Sequence, residues 1–194
     1  MIKLIIFDLG GVIHSNVHNL FFKRVSSKAN IPFSKITKAH KSLIEDLHTG
    51  KINENQYWHK LFKKLKTKYH KFSWEYRFTR DRRINYSIIS LIKKLKKRYK
   101  LCLISNTIPQ HAKYNKNIFK LFNYVILSYK VRLFKPDKRI YKLALKKFKV
   151  KSNEVVFIDD LRENLYNAKK IGMNVIHYTH YNKLRKDLNK LLRN

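Results

Sequence analysis

The 194-residue chain predicts an α/β fold, a doubly wound parallel sheet with a small helical segment inserted after its first strand. Three observations point there. Short apolar runs with little alternation recur along the chain, which is how strands covered on both faces read. Segments with apolar residues at spacings of three and four lie between them. Several of the apolar runs stop at a small polar or acidic residue.

Residues 2–7 (Ile-Lys-Leu-Ile-Ile-Phe) read as the first buried strand, ending at Asp8 and a Gly10-Gly11 turn. Residues 101–104 (Leu-Cys-Leu-Ile) repeat the pattern and end at Ser105. Residues 124–127 (Tyr-Val-Ile-Leu), 155–158 (Val-Val-Phe-Ile, ending at Asp159) and 174–178 complete five expected strands. Helices are expected over 84–98 (Ile88, Leu91, Ile92, Leu95), 137–148 opened by Pro136, 161–171 stopped by Gly172, and about 182–192. Residues 16–83 differ. Leu20, Phe21 and Val25, then Ile36, Leu43 and Leu47, then Tyr57, Leu61 and Phe62 fall at helical spacing, with no convincing strand. This span reads as a helical insert.

Composition narrows the class. One Cys excludes a disulfide scaffold or a Cys-rich zinc module, and 4 Gly and 3 Pro exclude collagen-like chains. With 44% hydrophobic residues the chain can bury a core, which argues against a disordered basic chain. No apolar run approaches the roughly 20 residues of a membrane span. The start reaches Asp8 too early for a signal peptide, so the expected compartment is cytoplasmic.

The net charge of +33 comes from 45 Lys+Arg against 12 Asp+Glu, with 24 of the basic residues in the first hundred positions and 21 in the rest. Such even spread suits solvated faces better than a nucleic-acid arm. Attraction to anions, phosphorylated metabolites or nucleic acid, is the sharper alternative. The run Lys93–Arg98 reads as a solvated helix face.

Ligands of open α/β sheets bind beyond the carboxyl ends of the strands. In this chain those ends carry Asp8, Ser105-Asn106-Thr107 and Asp159-Asp160, with Lys135-Pro136 in a loop able to reach the same rim. Carboxylates brought together there stay ionised only with a cation between them, and oxygen ligands favour Mg²⁺. A hydroxyl, an amide and a Lys beside such an ion describe a phosphate pocket.

Phe7-Asp8-Leu9-Gly10-Gly11-Val12-Ile13, then Leu103–Thr107, then Lys135-Pro136-Asp137, then Val156–Asp160 with Asn164, resembles the haloacid-dehalogenase-like hydrolase superfamily. Its four motifs occur in order. The opening motif looks like the branch of sugar-phosphate phosphatases and the phosphatase-like domain of epoxide hydrolases. The resemblance implies a Rossmann-like core over 1–15 and 84–194 and a helical cap over 16–83. It implies that Asp8 is the nucleophile and that the Gly10 carbonyl, Asp8, Asp159 and Asp160 hold Mg²⁺, Asp159 directly or through water. It implies that Ser105 and the neighbouring Asn106 amide hold phosphoryl oxygens, that Lys135 neutralises charge, and that Asn164 braces the loop.

One departure stands out. Most phosphatases of the superfamily carry a second Asp two positions after the nucleophile, where this chain has Gly10. Either the substrate has a good leaving group, or another group such as His14 substitutes, or catalysis has been lost. His14 in its simplest reading is a solvated loop residue. Trp58 and Trp74 read as core, Cys102 as inert packing, and the nine His show no pair placed for zinc. The reading is a Mg²⁺-dependent phosphatase of a small phosphorylated metabolite. The alternative is a catalytically silent basic scaffold, with RNA as the partner.

Overall fold

The computed structural model describes residues 1–16, 18–68 and 82–193. The chain opens with β1 (Leu4–Phe7), followed by four helices: α1 (His18–Ala29), α2 (Phe33–Lys41), α3 (Ile44–His48) and α4 (Glu54–Lys64). Then come α5 (Tyr86–Leu95), β2 (Lys100–Ser105), α6 (Pro109–Lys113), α7 (Lys116–Phe119), β3 (Tyr124–Leu127), α8 (Ser128–Val131) and α9 (Lys138–Phe148). β4 (Val155–Asp159), α10 (Arg162–Lys169), β5 (Asn174–His177) and α11 (Tyr181–Arg193) end it. Trp74 and part of the expected insert, residues 69–81, lie outside the described residues.

The five strands form one parallel sheet in the order β3-β2-β1-β4-β5. Alternation along β1 builds both layers. Ile5 and Phe7 pack with Ile88 and Ile92 of α5 and Leu184 and Leu188 of α11. Leu4 and Ile6 face the other way, toward Ile140 and Ala144 of α9 and Leu165 and Ala168 of α10. Burial on both faces is why the strands read as continuous apolar runs.

The chain winds outward from β1 through β2 to β3, then crosses back to place β4 on the other side of β1. Strand order therefore reverses between β1 and β4, the position at which open α/β sheets form a crevice. Register sets what meets there. Phe7 pairs with Ile158, and the Asp8 amide donates to the Ile158 carbonyl at 2.9 Å. Asp8 and Asp159, 151 positions apart, thus leave adjacent strands side by side.

Two helix starts differ from the sequence reading. Pro136 does not open α9. Asp137 is its N-cap and accepts from the Arg139 amide at 2.8 Å, a bond that a preceding proline cannot supply. Pro109 instead takes the opening position of α6. Helices α6, α7 and α8 are four or five residues long and too short to show a periodic face.

Helices α1–α4 bury a cluster of their own, with Phe22, Val25, Ile36, Tyr57, Trp58 and Leu61 at its centre and Ile108 joining it from the loop after β2. A reciprocal capping box starts α4: Asn53 Oδ1 accepts from the Gln56 amide and Gln56 Oε1 from the Asn53 amide, both at 2.9 Å. Trp58 is wholly buried, tilted against Phe21 at 6.0 Å and stacked on Phe62 at 6.3 Å. Trp58→Ala is expected to destabilise the protein by about 3–5 kcal/mol through the cavity it leaves. Chemical denaturation of the two forms measures this, and an unchanged midpoint would contradict the packing described.

Candidate active site

Asp8 follows β1 directly, Ser105 ends β2, and Asp159-Asp160 close β4. Lys135 reaches the same edge from the loop before α9. Its Nζ donates to Asp8 Oδ1 at 2.5 Å and to Asp159 Oδ2 at 2.7 Å, and the side chain is 2% exposed. Asp8, Asp159 and Asp160 each offer an oxygen within 4.8 Å of the others, a group able to hold a metal ion. One buried ammonium faces three carboxyls, so the site carries an excess of negative charge that a divalent cation would offset.

The electrostatics follow from that imbalance. Burial pushes the Asp8 carboxyl up to about 7, Lys135 opposes the shift, and Asp159 and Asp160 add to it. Burial works against the Lys135 charge, but Asp159 and Asp8 override it and hold the ammonium protonated well above the usual lysine value. Asp160 is likewise raised, first by burial and then by Asp159, with Asn16 and Lys135 opposing.

Asp159 has a different surrounding from its neighbours. Oδ1 accepts from the Leu161 amide at 2.8 Å and from Asn164 Nδ2 at 3.0 Å; Oδ2 accepts from Lys135 and, at 3.0 Å, from the same Asn164 nitrogen. It is fully buried and forms no part of the cavity wall. Asn164 does brace this loop, and its own carbonyl accepts from Tyr141 Oη at 3.0 Å.

A cavity of about 740 Å³ opens over this edge. Asp8, Gly10, Ser105, Asn106, Lys135 and Asp160 line it from the sheet side. The Asn106 side chain is committed elsewhere: Nδ2 donates to the Lys135 carbonyl and Oδ1 accepts from the Lys135 amide, both at 2.8 Å. It clasps the Lys135 loop to the end of β2. Helices α1–α3 contribute the opposite wall, including His18, Thr37, His40 and His48.

Some of the wall was invisible in the sequence. His18 and His40 meet with their Nε2 atoms 2.7 Å apart, and His40 Nδ1 is 2.6 Å from the Tyr57 hydroxyl. Twenty-two positions separate the two histidines, so no spacing rule pairs them. Asn16 reaches Asp160 Oδ2 at 3.4 Å. His14, expected in solvent, is 8% exposed and faces the cavity. Cys102 is buried as expected, and burial pushes its thiol up.

A family model for haloacid dehalogenase-like hydrolases matches residues 2–172. The chain belongs to that family. D-ribitol-5-phosphate phosphatase of Bacteroides thetaiotaomicron is 25% identical over 190 residues, 89% of either chain. Bifunctional epoxide hydrolase 2 of Sus scrofa is 32% identical over 104 residues, half of this chain but only 19% of that protein. The chain spans about a fifth or less of the epoxide hydrolases it matches. Among solved structures, a HAD-like family hydrolase from Porphyromonas gingivalis superposes with a TM-score of 0.79 at 22% identity, covering 100% of this chain and 99% of that one. A HAD family enzyme from Bacteroides thetaiotaomicron, solved as a complex with magnesium and inorganic phosphate, gives 0.71 at 21% identity, covering 92% and 95%. These likenesses establish the hydrolase fold.

The second glycine of the family turn has a local cause here. A Cβ at Gly11 would lie 2.0 Å from Asp160 Oδ2, and Gly11 has φ +83°, a left-handed conformation. Gly11→Ala is expected to push the Asp160 carboxylate aside and weaken divalent-cation binding at least tenfold, as read by calorimetric titration with Mg²⁺. Unaltered affinity would mean that Asp160 is not a ligand. Asp8 supplies a second test. Its folded value lies above the ordinary 3.8, so between pH 3.8 and about 7 the folded chain binds the extra proton and loses stability as pH rises. Without divalent cations, Asp8→Asn should remove that part of the decline; parallel stability curves for the two forms would refute it.

Proposed function

We propose that the chain is a Mg²⁺-dependent phosphatase that hydrolyses a small phosphorylated metabolite through an aspartyl-phosphate on Asp8. The carrying observation is the Lys135 ammonium, buried against Asp8 at the floor of the cavity. Lys135 anchors the carboxylate for in-line attack and neutralises charge on the transferring group. Ser105 and the Asn106 main-chain N–H would hold phosphoryl oxygens. Asp8, Asp160 and the Gly10 carbonyl would hold Mg²⁺, and the donors filling both oxygens of Asp159 favour contact through water for that residue. When bound, the ion supplies positive charge that binds and polarises the phosphoryl group.

The core would comprise residues 1–15 and 84–194, and residues 16–83 would act as a cap that closes the cavity and selects the leaving group. A cavity of about 740 Å³ suits a metabolite of sugar-phosphate size. The relative that acts on D-ribitol 5-phosphate and the neighbour complexed with magnesium and phosphate support the same class.

A screen of phosphomonoesters with Mg²⁺ tests the reading by released phosphate. Turnover is expected on small polyol or sugar phosphates, with loss on chelation and recovery on adding Mg²⁺. Asp8→Asn should lower kcat by about 10⁴-fold or more, the scale seen when a nucleophile is removed. Absence of phosphate release from every ester tried would sink the proposal.

A further inference from the structure

The two sides of the cavity differ in charge. Among the described residues, its carboxyl groups are Asp8, Asp160 and Glu163, and all three come from the core side. Helices α1–α3 add no acid to the lining. They add the ammonium of Lys41, the last residue of α2, and the imidazoles of His18, His40 and His48. A substrate's phosphoryl group belongs at the floor, beside Lys135 and Ser105. Lys41 is then left to meet the rest of the molecule.

Resting on the phosphatase reading, we propose that the substrate carries a second anionic group, a carboxylate or another phosphate, remote from the ester that is cleaved, and that Lys41 is the specificity-determining residue that binds it. Neighbouring polar groups of the cavity are committed elsewhere. Thr37 lies one turn before Lys41 on the same face of α2, and its hydroxyl donates to the Ser34 carbonyl at 3.0 Å. His40 has both ring nitrogens engaged, Nε2 with His18 Nε2 at 2.7 Å and Nδ1 with the Tyr57 hydroxyl at 2.6 Å. The His48 ring packs against Phe134, with centroids 5.7 Å apart. Asn16 reaches Asp160, and His14 turns its Cε1 edge toward Gly10, 3.7 Å from where a Cβ there would lie. Lys41 makes no ion pair and no side-chain hydrogen bond among the described residues.

The chemistry of that side chain selects the ligand class. An ammonium is a compact charge with three donors on a flexible stem, so it accepts carboxylate or phosphate oxygens without demanding one planar geometry. Either anion meets it with a full opposite charge, whereas a hydroxyl offers only a dipole. Ile44 and Phe134 add apolar surface to the cavity, which leaves charge as a means of orienting the far end of a substrate. The net charge of +33 attracts every anion at long range, so the local contact has to be separated from the general field.

The test compares matched esters at one ionic strength: glucose 6-phosphate with 6-phosphogluconate, and fructose 6-phosphate with fructose 1,6-bisphosphate. The readout is kcat/KM for released phosphate in wild type, Lys41→Gln, Lys41→Arg and Lys38→Gln. Wild type is expected to favour the anionic member of at least one pair by about tenfold or more, the scale of one hydrogen bond to a charged group. The pair that shows it tells carboxylate from phosphate. Lys41→Gln should lose about tenfold more on that anionic ester than on its neutral partner, and Lys41→Arg should restore most of the preference. Lys38→Gln removes an equal charge from an exposed position of α2 outside the cavity lining and should keep the wild-type preference. No preference in wild type, a preference that survives in Lys41→Gln, or one lost equally in Lys38→Gln overturns the role of Lys41, while hydrolysis of any of the four esters leaves the phosphatase reading standing. A wild-type chain inert on all four and throughout the phosphomonoester screen overturns that reading, and the second anion with it.

Discussion

Lys135 Nζ lies between Asp8 and Asp159, at 2.5 and 2.7 Å, with almost no solvent to share the charge. Burying one ion of this kind without partners costs several kcal/mol, so all three groups have to arrive together. Much of the surrounding structure serves that requirement. Asn106 clasps the backbone of Lys135 from the end of β2, and Asn164 and the Leu161 amide fill the remaining positions on Asp159. Removing any one of these would leave a buried polar group unmatched, which is the expensive outcome. The arrangement still leaves an excess of carboxyls over ammonium, a group able to hold a metal ion.

The sheet makes the convergence possible. Parallel strands bring all their carboxyl ends to one edge, and the reversal of strand order beside β1 opens a crevice at Asp8. Register then does the fine placement, because Phe7 pairs with both Leu103 and Ile158. A slip by one residue on either side would turn the Asp8 or Asp159 side chain to the opposite face of the sheet. The apolar runs on either side of these strands oppose such a slip, since each is packed against helices on both faces. Stability and site geometry are therefore set by the same contacts.

The helical wall follows another logic. Its interior is aromatic, with Phe21, Phe22, Tyr57, Trp58 and Phe62 in one cluster. Into this apolar material it places two imidazoles and a phenol hydrogen-bonded in sequence, His18 to His40 to Tyr57. The hydrogen bonds fix these groups relative to one another, and an aromatic ring packs beside them. Phe22 lies 4.7 Å from the His18 ring and 4.5 Å from the His40 ring. The wall therefore sets a few polar groups in mostly apolar surroundings opposite the charged floor.

Local patterns in the chain were enough to place five strands, the main helices and the residues at the strand ends, because burial on both faces writes an unbroken apolar run and a polar terminus. Asp8 and Asp159-Asp160 stood out for the same reason, since in a chain with only 12 acids those at the ends of apolar runs are conspicuous; Ser105 stood out as a polar strand end, and Lys135 by the proline that follows it. Helices α6–α8 did not stand out, being too short for periodicity, and Pro136 misled because a capping aspartate sits one residue later. What the folded chain alone decided is which distant groups touch. The meeting of His18 with His40, the commitment of the Asn106 side chain to Lys135, the withdrawal of Asp159 from the cavity wall and the turn of His14 toward Gly10 all depend on register and on loop hydrogen bonds. Those interactions join positions far apart in sequence or fix a ring's direction, and neither property leaves a mark in residue type or spacing.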